Sequence, residues 1–166
     1  MNTPQPSQKK QLYTRSNMIP DVSIIITNYN YEKYVARSCL SQRNVNVEVI
    51  VVDDCSTDSS LQEIEVFKND IYLVKNKKNV GVAEASNVGI RVAKAQFVIR
   101  VDADDFVNKD MCYFMSRYLI DNHDAFCVSC DYILVDDHEN ILERKYSEKN
   151  NISCGIMYRR DLFVQM

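Results

Sequence analysis

The chain has 166 residues, 46% hydrophobic and 26% charged, which gives room for one domain with a core of its own and no need of disulfide or metal staples. No apolar run approaches the roughly 20 residues that span a bilayer, and a net charge of −3 argues against DNA or RNA as main partner, so no nucleic acid is expected. The 6 cysteines, with no secretory leader pattern ahead of them, predict reduced thiols and a cytoplasmic setting.

All 3 prolines, Pro4, Pro6 and Pro20, fall within residues 1–20. That stretch is polar and aperiodic and reads as a flexible leader, with the folded domain over 21–166. Its Lys9, Lys10 and Arg15 offer a weak attraction to an anionic membrane surface, hence peripheral membrane association at the inner face. VSIIIT, Val22 to Thr27, is a short β-branched run of the kind found in strands buried on both faces. After Asn28, Tyr29 and Asn30 comes a helical pattern with Tyr34, Val35, Ser38 and Cys39 on one face. VEVIVVDD, Val47 to Asp54, is a second buried strand, and Ser56 or Thr57 offers an N-cap to a helix striped by Leu61, Ile64 and Phe67. IYLVK, Ile71 to Lys75, is a third strand. Ala85, Val88, Val92 and Ala95 form the next helical face, and Gly89 inside it marks close packing on a neighbour. QFVIRV, Gln96 to Val101, is a fourth strand that ends at Asp102. A helix over Lys109 to Ile120 follows, with Met111, Met115, Tyr118 and Leu119 facing inward and the aromatic residues of MCYFMSRYL in the core.

Strand–helix alternation predicts an α/β fold, a parallel sheet with helices on both faces. Right-handed crossovers then line up the strand C-termini on one edge, where ligands of such sheets bind. After Phe126 the pattern changes: FCVSCDYILVD and ILERKY flank Asp136 to Asn140 and read as a hairpin or two antiparallel strands, which makes the sheet mixed.

Acidic residues collect at the strand ends. Asp53 and Asp54 close the second strand, and Asp102, Asp104 and Asp105 follow the fourth. Carboxylates brought together repel unless a cation or a proton relieves them. Hard oxygen ligands on a loop suit Mg²⁺ or Mn²⁺, which keeps open positions for phosphate oxygens. The residues therefore suggest a metal-held diphosphate, although Asp is also common at such positions for turns and caps. Other candidates are weaker. Cys127 and Cys130 form a CxxC inside a strand-like run, where residues three apart point to opposite faces and cannot share one metal. Cys55 reads as a small turn residue, and His123 and His138 as surface histidines. Arg159 and Arg160 suit either a phosphate or a solvated helix start.

The segments DVSIIITNYNYEKYVARSCLSQ, VEVIVVDDCSTDSS, NVGVAEASNVGIRVAKAQ and FVIRVDADDF resemble the successive blocks of glycosyltransferase family 2, strongly over Asp21 to Met111 and weakly through SCGIMYRRDLF. The resemblance implies a GT-A fold, the nucleotide-diphospho-sugar transferase-like three-layer sandwich around a mostly parallel, mixed sheet. It implies transfer of a sugar from a nucleotide-diphosphate sugar, UDP-type favoured, to the hydroxyl of a glycan or lipid-linked acceptor, with inversion, in the synthesis of a cell-surface polysaccharide. On that resemblance Thr27 and Tyr29 meet the base, Asp54 accepts a base N–H, and Asn79 and Gly81 bring backbone to the nucleotide. Asp102 and Asp104 match the DxD element, with Asp104 on the Mn²⁺ or Mg²⁺ ion and Asp102 near ribose and metal.

Two departures stand out. Ser86 occupies a helix position where the family often carries Arg, so a phosphate or packing contact is expected to be missing. The catalytic base of the family falls beyond SCGIMYRRDLFVQM, and Asp161 precedes its place, so no residue here is assigned as base and the acceptor part reads as incomplete, as in a truncated chain. Two functions follow: a metal-dependent glycosyltransferase, or a nucleotide-sugar-binding module without full catalytic competence. A phospho-accepting signalling domain also gathers Asp at strand ends around Mg²⁺, but its acidic pair belongs after the first strand and here follows the second.

Overall fold

The computed structural model describes residues 19–31, 37–136, 138–150 and 152–165. Most of the leader, with Lys9, Lys10 and Arg15, lies outside the described residues, as do Tyr34, Val35 and the side chain of Ser38. The strands are β1 (Val22–Asn28), β2 (Val47–Asp53), β3 (Tyr72–Lys75), β4 (Phe97–Asp102), β5 (Cys127–Ser129), β6 (Tyr132–Val135), β7 (Ile141–Lys145) and β8 (Ile156–Arg159). The helices are α1 (Arg37–Leu40), α2 (Ser60–Glu65), α3 (Val82–Val92), α4 (Met111–Asp121) and α5 (Arg160–Val164). None is long and apolar enough to cross a membrane among the described residues.

A six-stranded sheet runs in the order β3-β2-β1-β4-β8-β5. β1 pairs in parallel with β2 and β4, and β2 with β3, while β8 is antiparallel to both β4 and β5. The sheet is mixed, as expected, but for a different reason. The hairpin of β6 and β7 forms and stands apart as its own two-stranded sheet. The antiparallel member is β8, whose four residues IMYR carry no alternation that would mark a strand.

Alternation across β1 sorts the core into two layers. Val22, Ile24 and Ile26 join Val49, Val51, Phe97, Ile99 and Val101 under Ile64 of α2 and Cys112, Met115 and Leu119 of α4. Ile25 faces the other way and meets Ile50, Val52 and Val98 under Ala85 of α3. Ile24, Ile25 and Ile26 are all at most 1% exposed, and each such side chain contributes about 1.5–3 kcal/mol by leaving water. The inner stripe of α4 differs from expectation at its aromatics. Cys112, Met115 and Leu119 are buried, whereas Phe114 and Tyr118 are 67% and 50% exposed on the opposite face. Ala95 lies past the end of α3 yet is buried, because the turn into β4 packs under the sheet: its amide donates to Ser23 Oγ at 3.1 Å.

Register places the strand ends level. Asn28 stands opposite Asp53, Thr27 opposite Asp102, and Asp53 opposite Lys75. The loops after β1, β2, β3 and β4 therefore leave the sheet along one edge.

Gly89 fixes how closely α3 approaches that sheet. A Cβ at this position would run into the Ile25 side chain and press on Val52 Cγ2 at 3.2 Å. Gly89→Ala gains about 1 kcal/mol in helix propensity and loses about 1–3 kcal/mol to overpacking against a stiff β-branched neighbour. We expect the thermal midpoint of Gly89→Ala to fall by a few degrees; a rise would show that α3 has slack to lift off the sheet.

Candidate functional site

Polar side chains, not apolar ones, knit the loops at this edge. Asp53 is 1% exposed and Asp54 3%, so each carboxylate needs donors to offset its lost hydration. Asp53 Oδ1 accepts from Asn28 Nδ2 at 3.2 Å, and its Oδ2 from the Ser56 amide at 3.1 Å. Asn28 Nδ2 also donates to Ser56 Oγ, which accepts the Asn30 amide at 3.0 Å. The Thr57 amide donates to Asn30 Oδ1 at 2.7 Å. Ser56 and Thr57 thus tie the β2 loop to the β1 loop; the helix they were expected to cap starts later, at Ser60. Cys55 is the turn residue expected, with a left-handed φ of 69°.

Asp54 anchors the third loop. Its Oδ1 accepts from Asn76 Nδ2 at 2.8 Å and from the Val80 amide at 3.0 Å, and its Oδ2 accepts the Gly81 amide at 2.8 Å. Gly81 N–H is shared with Asn79 Oδ1 at 3.1 Å. Gly81 has φ 85° and ψ 158°, a conformation essentially reserved for glycine, and it sets the start of α3. Asn79 therefore shapes the turn that presents Gly81. Asp54 thus acts as a loop anchor, with much of its lone-pair capacity taken up by these donors.

A cleft of about 340 Å³ opens between these loops and the end of β4. Thr27, Tyr29, Asp54, Asn79, Gly81, Asp102 and Asp104 all line it. The residues that the family resemblance implies as nucleotide or metal contacts are thus brought to the same cleft, whereas Asp53 and Asp105 of the two acidic clusters are not among its lining. Tyr29 stands half exposed at its side, and Asn28, Tyr31, Val82, Ala85 and Ala103 complete the lining.

The acidic wall has its own electrostatics. Burial raises the Asp102 carboxyl above the usual carboxylate range, Arg100 pulls it back, and Asp105 and Asp104 push it up again. Arg100 Nη2 lies 3.3 Å from Asp102 Oδ1 and donates to Ser153 Oγ at 2.7 Å. Asp105 Oδ2 accepts from Cys154 Sγ at 2.8 Å. Ligand atoms of Asp102, Asp105 and Cys154 lie within 4.8 Å of one another. Burial, then the carboxylate of Asp105, drives the Cys154 thiol far up, and a soft sulfur suits a hard ion poorly. The close oxygen donors are thus those of Asp102 and Asp105, while Asp104 lines the same cleft but is not part of that group. Carboxylate oxygens only partly offset by Arg100 are of the type that suits a hard divalent cation. Arg100, Ser153, Asn28 and Cys154 carried no site signal in the sequence. Arg100 was legible in principle, since two residues apart on a strand share a face; Ser153 and Cys154 arrive from a distant segment.

The remaining candidates lie elsewhere. Arg159 is engaged within the fold. Its Nε donates to Ala125 O at 2.9 Å and its Nη2 to the carbonyls of Leu119 and Asn122, closing the C-terminal end of α4. His123 and His138 are exposed. Cys127 is exposed, while Cys130 packs toward Gly155 and the core. Asp161 is exposed on α5 with Arg160 Nη1 at 3.6 Å.

Asp54→Asn replaces one carboxylate oxygen with a donor that faces amide donors. We expect amide exchange at Val80 and Gly81 to speed up by about tenfold or more, as loss of a charge-assisted bond of about 1.5–3 kcal/mol requires, while β1 amides keep their protection. Unchanged protection at both amides would show that the loop holds itself.

The sequence model of Glycosyl transferase family 2 matches residues 23–165. Poly(ribitol-phosphate) beta-N-acetylglucosaminyltransferase TarS of Staphylococcus aureus is 33% identical over 109 residues, 61% of this chain and 19% of that protein. The crystal structure of S. aureus TarS 1-349 in complex with UDP superposes with a TM-score of 0.71 at 25% identity, over 87% of this chain and 48% of that one. A mannosyltransferase from Pyrobaculum calidifontis, in complex with GDP-Man and Mn²⁺, shares the fold with a TM-score of 0.69 at 21% identity, over 90% of this chain and 47% of that one. The chain thus spans less than half the length of these proteins. The mixed sheet with helices on both faces is the GT-A arrangement, and the chain belongs to glycosyltransferase family 2.

Proposed function

We propose that the chain carries the donor-binding part of a metal-dependent glycosyltransferase that transfers a sugar from a nucleotide-diphosphate sugar, UDP-type, to an acceptor hydroxyl with inversion. The observation that carries this reading is the convergence of Thr27, Tyr29, Asp54, Asn79, Gly81, Asp102 and Asp104 on one cleft. Family membership and the UDP bound by TarS 1-349 support it.

In this reading Tyr29 offers a ring for the base to stack on, Thr27 lines the base pocket, and Asp54 accepts a base N–H beside the amides it already holds. Asn79 keeps Gly81 in the turn that brings backbone close to the nucleotide, and the N-terminal end of α3 adds its partial positive charge. Asp104 and Asp102 would hold Mn²⁺ or Mg²⁺, which when bound neutralises the diphosphate and makes it a better leaving group. The acceptor oxygen forms a bond to the anomeric carbon from the face opposite the diphosphate, the bond from that carbon to the phosphate oxygen breaks, and a carboxylate takes the hydroxyl proton. Asp161, exposed and facing Arg160, is not assigned that role. The name of TarS, a poly(ribitol-phosphate) beta-N-acetylglucosaminyltransferase, supports a glycan-type acceptor and polysaccharide synthesis. A lipid-linked acceptor and a cytoplasmic place at the inner face of the membrane rest on the sequence reading alone.

Asp104 is exposed, so its replacement leaves the fold intact. We expect calorimetric titration of the chain with UDP to show binding that needs Mn²⁺, and Asp104→Asn to weaken that binding at least tenfold at an unchanged thermal midpoint. Equal UDP affinity with and without Mn²⁺, or in the variant, would overturn the metal assignment. Donor binding without turnover on candidate acceptors would favour a binding module over an enzyme.

A further inference from the structure

A second cavity of about 310 Å³ lies behind the first, between α3 and the strands β4 and β8. The two share Val82 in their linings. The second is walled by apolar residues such as Ile25, Val98, Tyr158 and Phe163, and one cation, Arg100, enters it. Arg100 and Asp102 are two apart on β4 and so stand on the same face, one in each cavity. Among the residues lining either cavity, Arg100 alone is a Lys or Arg, against three carboxylates, Asp54, Asp102 and Asp104. A diphosphate entering this wall adds further negative charge that one divalent ion leaves under-compensated.

The state of the guanidinium points the same way. Its side chain is 16% exposed. Nη2 holds Ser153 Oγ firmly at 2.7 Å but meets Asp102 only at 3.3–3.4 Å, long for a charge-assisted bond. Nε is buried with no hydrogen-bond partner, and an unmet buried donor is costly unless something comes to it. We propose that Arg100 is a ligand of the donor diphosphate that waits on Asp102 as a stand-in for the metal. Released from that carboxylate, Arg100 would present Nε and a terminal nitrogen to one phosphate, the planar two-point contact for which Arg is suited. Ser153 Oγ, 2.7 Å from Nη2, steadies the guanidinium. This inference rests on the proposed donor site and assigns it a residue beyond those read from the sequence.

The test is an NMR titration of the full chain with UDP and, separately, with uridine, at saturating Mn²⁺. Arg100→Gln should weaken UDP about 10-fold to 100-fold, the range of a lost hydrogen bond to a charged group, and leave uridine within about twofold. Arg100→Lys should recover part of the UDP affinity through its point charge, and Ser153→Ala should shift the UDP to uridine ratio far less than Arg100→Gln. Mn²⁺ alone should bind Arg100→Gln at least as tightly as the unaltered chain, because Asp102 has lost its competitor. Unchanged UDP affinity in Arg100→Gln overturns the inference alone. So do parallel losses for UDP and uridine in both Arg100 variants, which would make Arg100 a structural strut. Failure of the unaltered chain to bind UDP with Mn²⁺ overturns the donor-site reading and this inference together.

Discussion

Two adjacent buried carboxylates at the end of β2 hold the architecture of the site. Asp53 and Asp54 are withdrawn from water, and their negative charge is tolerable only because donors from three loops come to them. The same bonds that relieve the carboxylates fold the β1, β2 and β3 loops against one another. Each is individually modest, about 1.5–3 kcal/mol for a bond to a charged group, but they share partners, so the loops order as a set. Asn28 serves both Asp53 and Ser56, and the Gly81 amide serves both Asp54 and Asn79.

Across the cleft, the end of β4 follows the opposite logic. Its carboxylates are not fully satisfied by the protein. Asp102 is partly desolvated and has one loosely held cation beside it, Asp105 is engaged by a thiol, and Asp104 faces the cleft. One side of the cleft is therefore locked and the other charged and ready to accept positive charge. The parallel register that sets Thr27 opposite both Val52 and Asp102 is what keeps the two sides facing each other.

Much of this was legible in the sequence because it rests on local pattern. Runs such as VSIIIT and VEVIVV are buried on both faces of a parallel sheet and advertise it by β-branched content, and the position of each acidic pair follows from strand ends. What escaped is non-local. IMYR becomes β8 because β4 and β5 leave a slot between them, and nothing within those residues says so. Ser56 and Thr57 have the chemistry of helix caps, and the same chemistry binds a neighbouring loop when one is in reach. Phe114 and Tyr118 belong to a stripe that could equally have faced inward; the packing of Met115 and Leu119 on the sheet decides it. The sequence offers Asp54 both a ligand role and a turn or cap role; the bonds that fix its carboxylate to the loop after β3 are non-local, and no pattern around Asp54 names their donors.

The account stands or falls on a divalent cation bridging the β4 carboxylates and a nucleoside diphosphate in the cleft beside Asp54. The direct measurement is the anomalous difference map of crystals of this chain grown with UDP and Mn²⁺. The account predicts one strong manganese peak within coordination distance of an Asp104 oxygen and of the diphosphate, with the uracil between Tyr29 and the loop held by Asp54. A map in which UDP is ordered elsewhere, or in which the cleft holds the nucleotide with no manganese peak at Asp102 or Asp104, would contradict it.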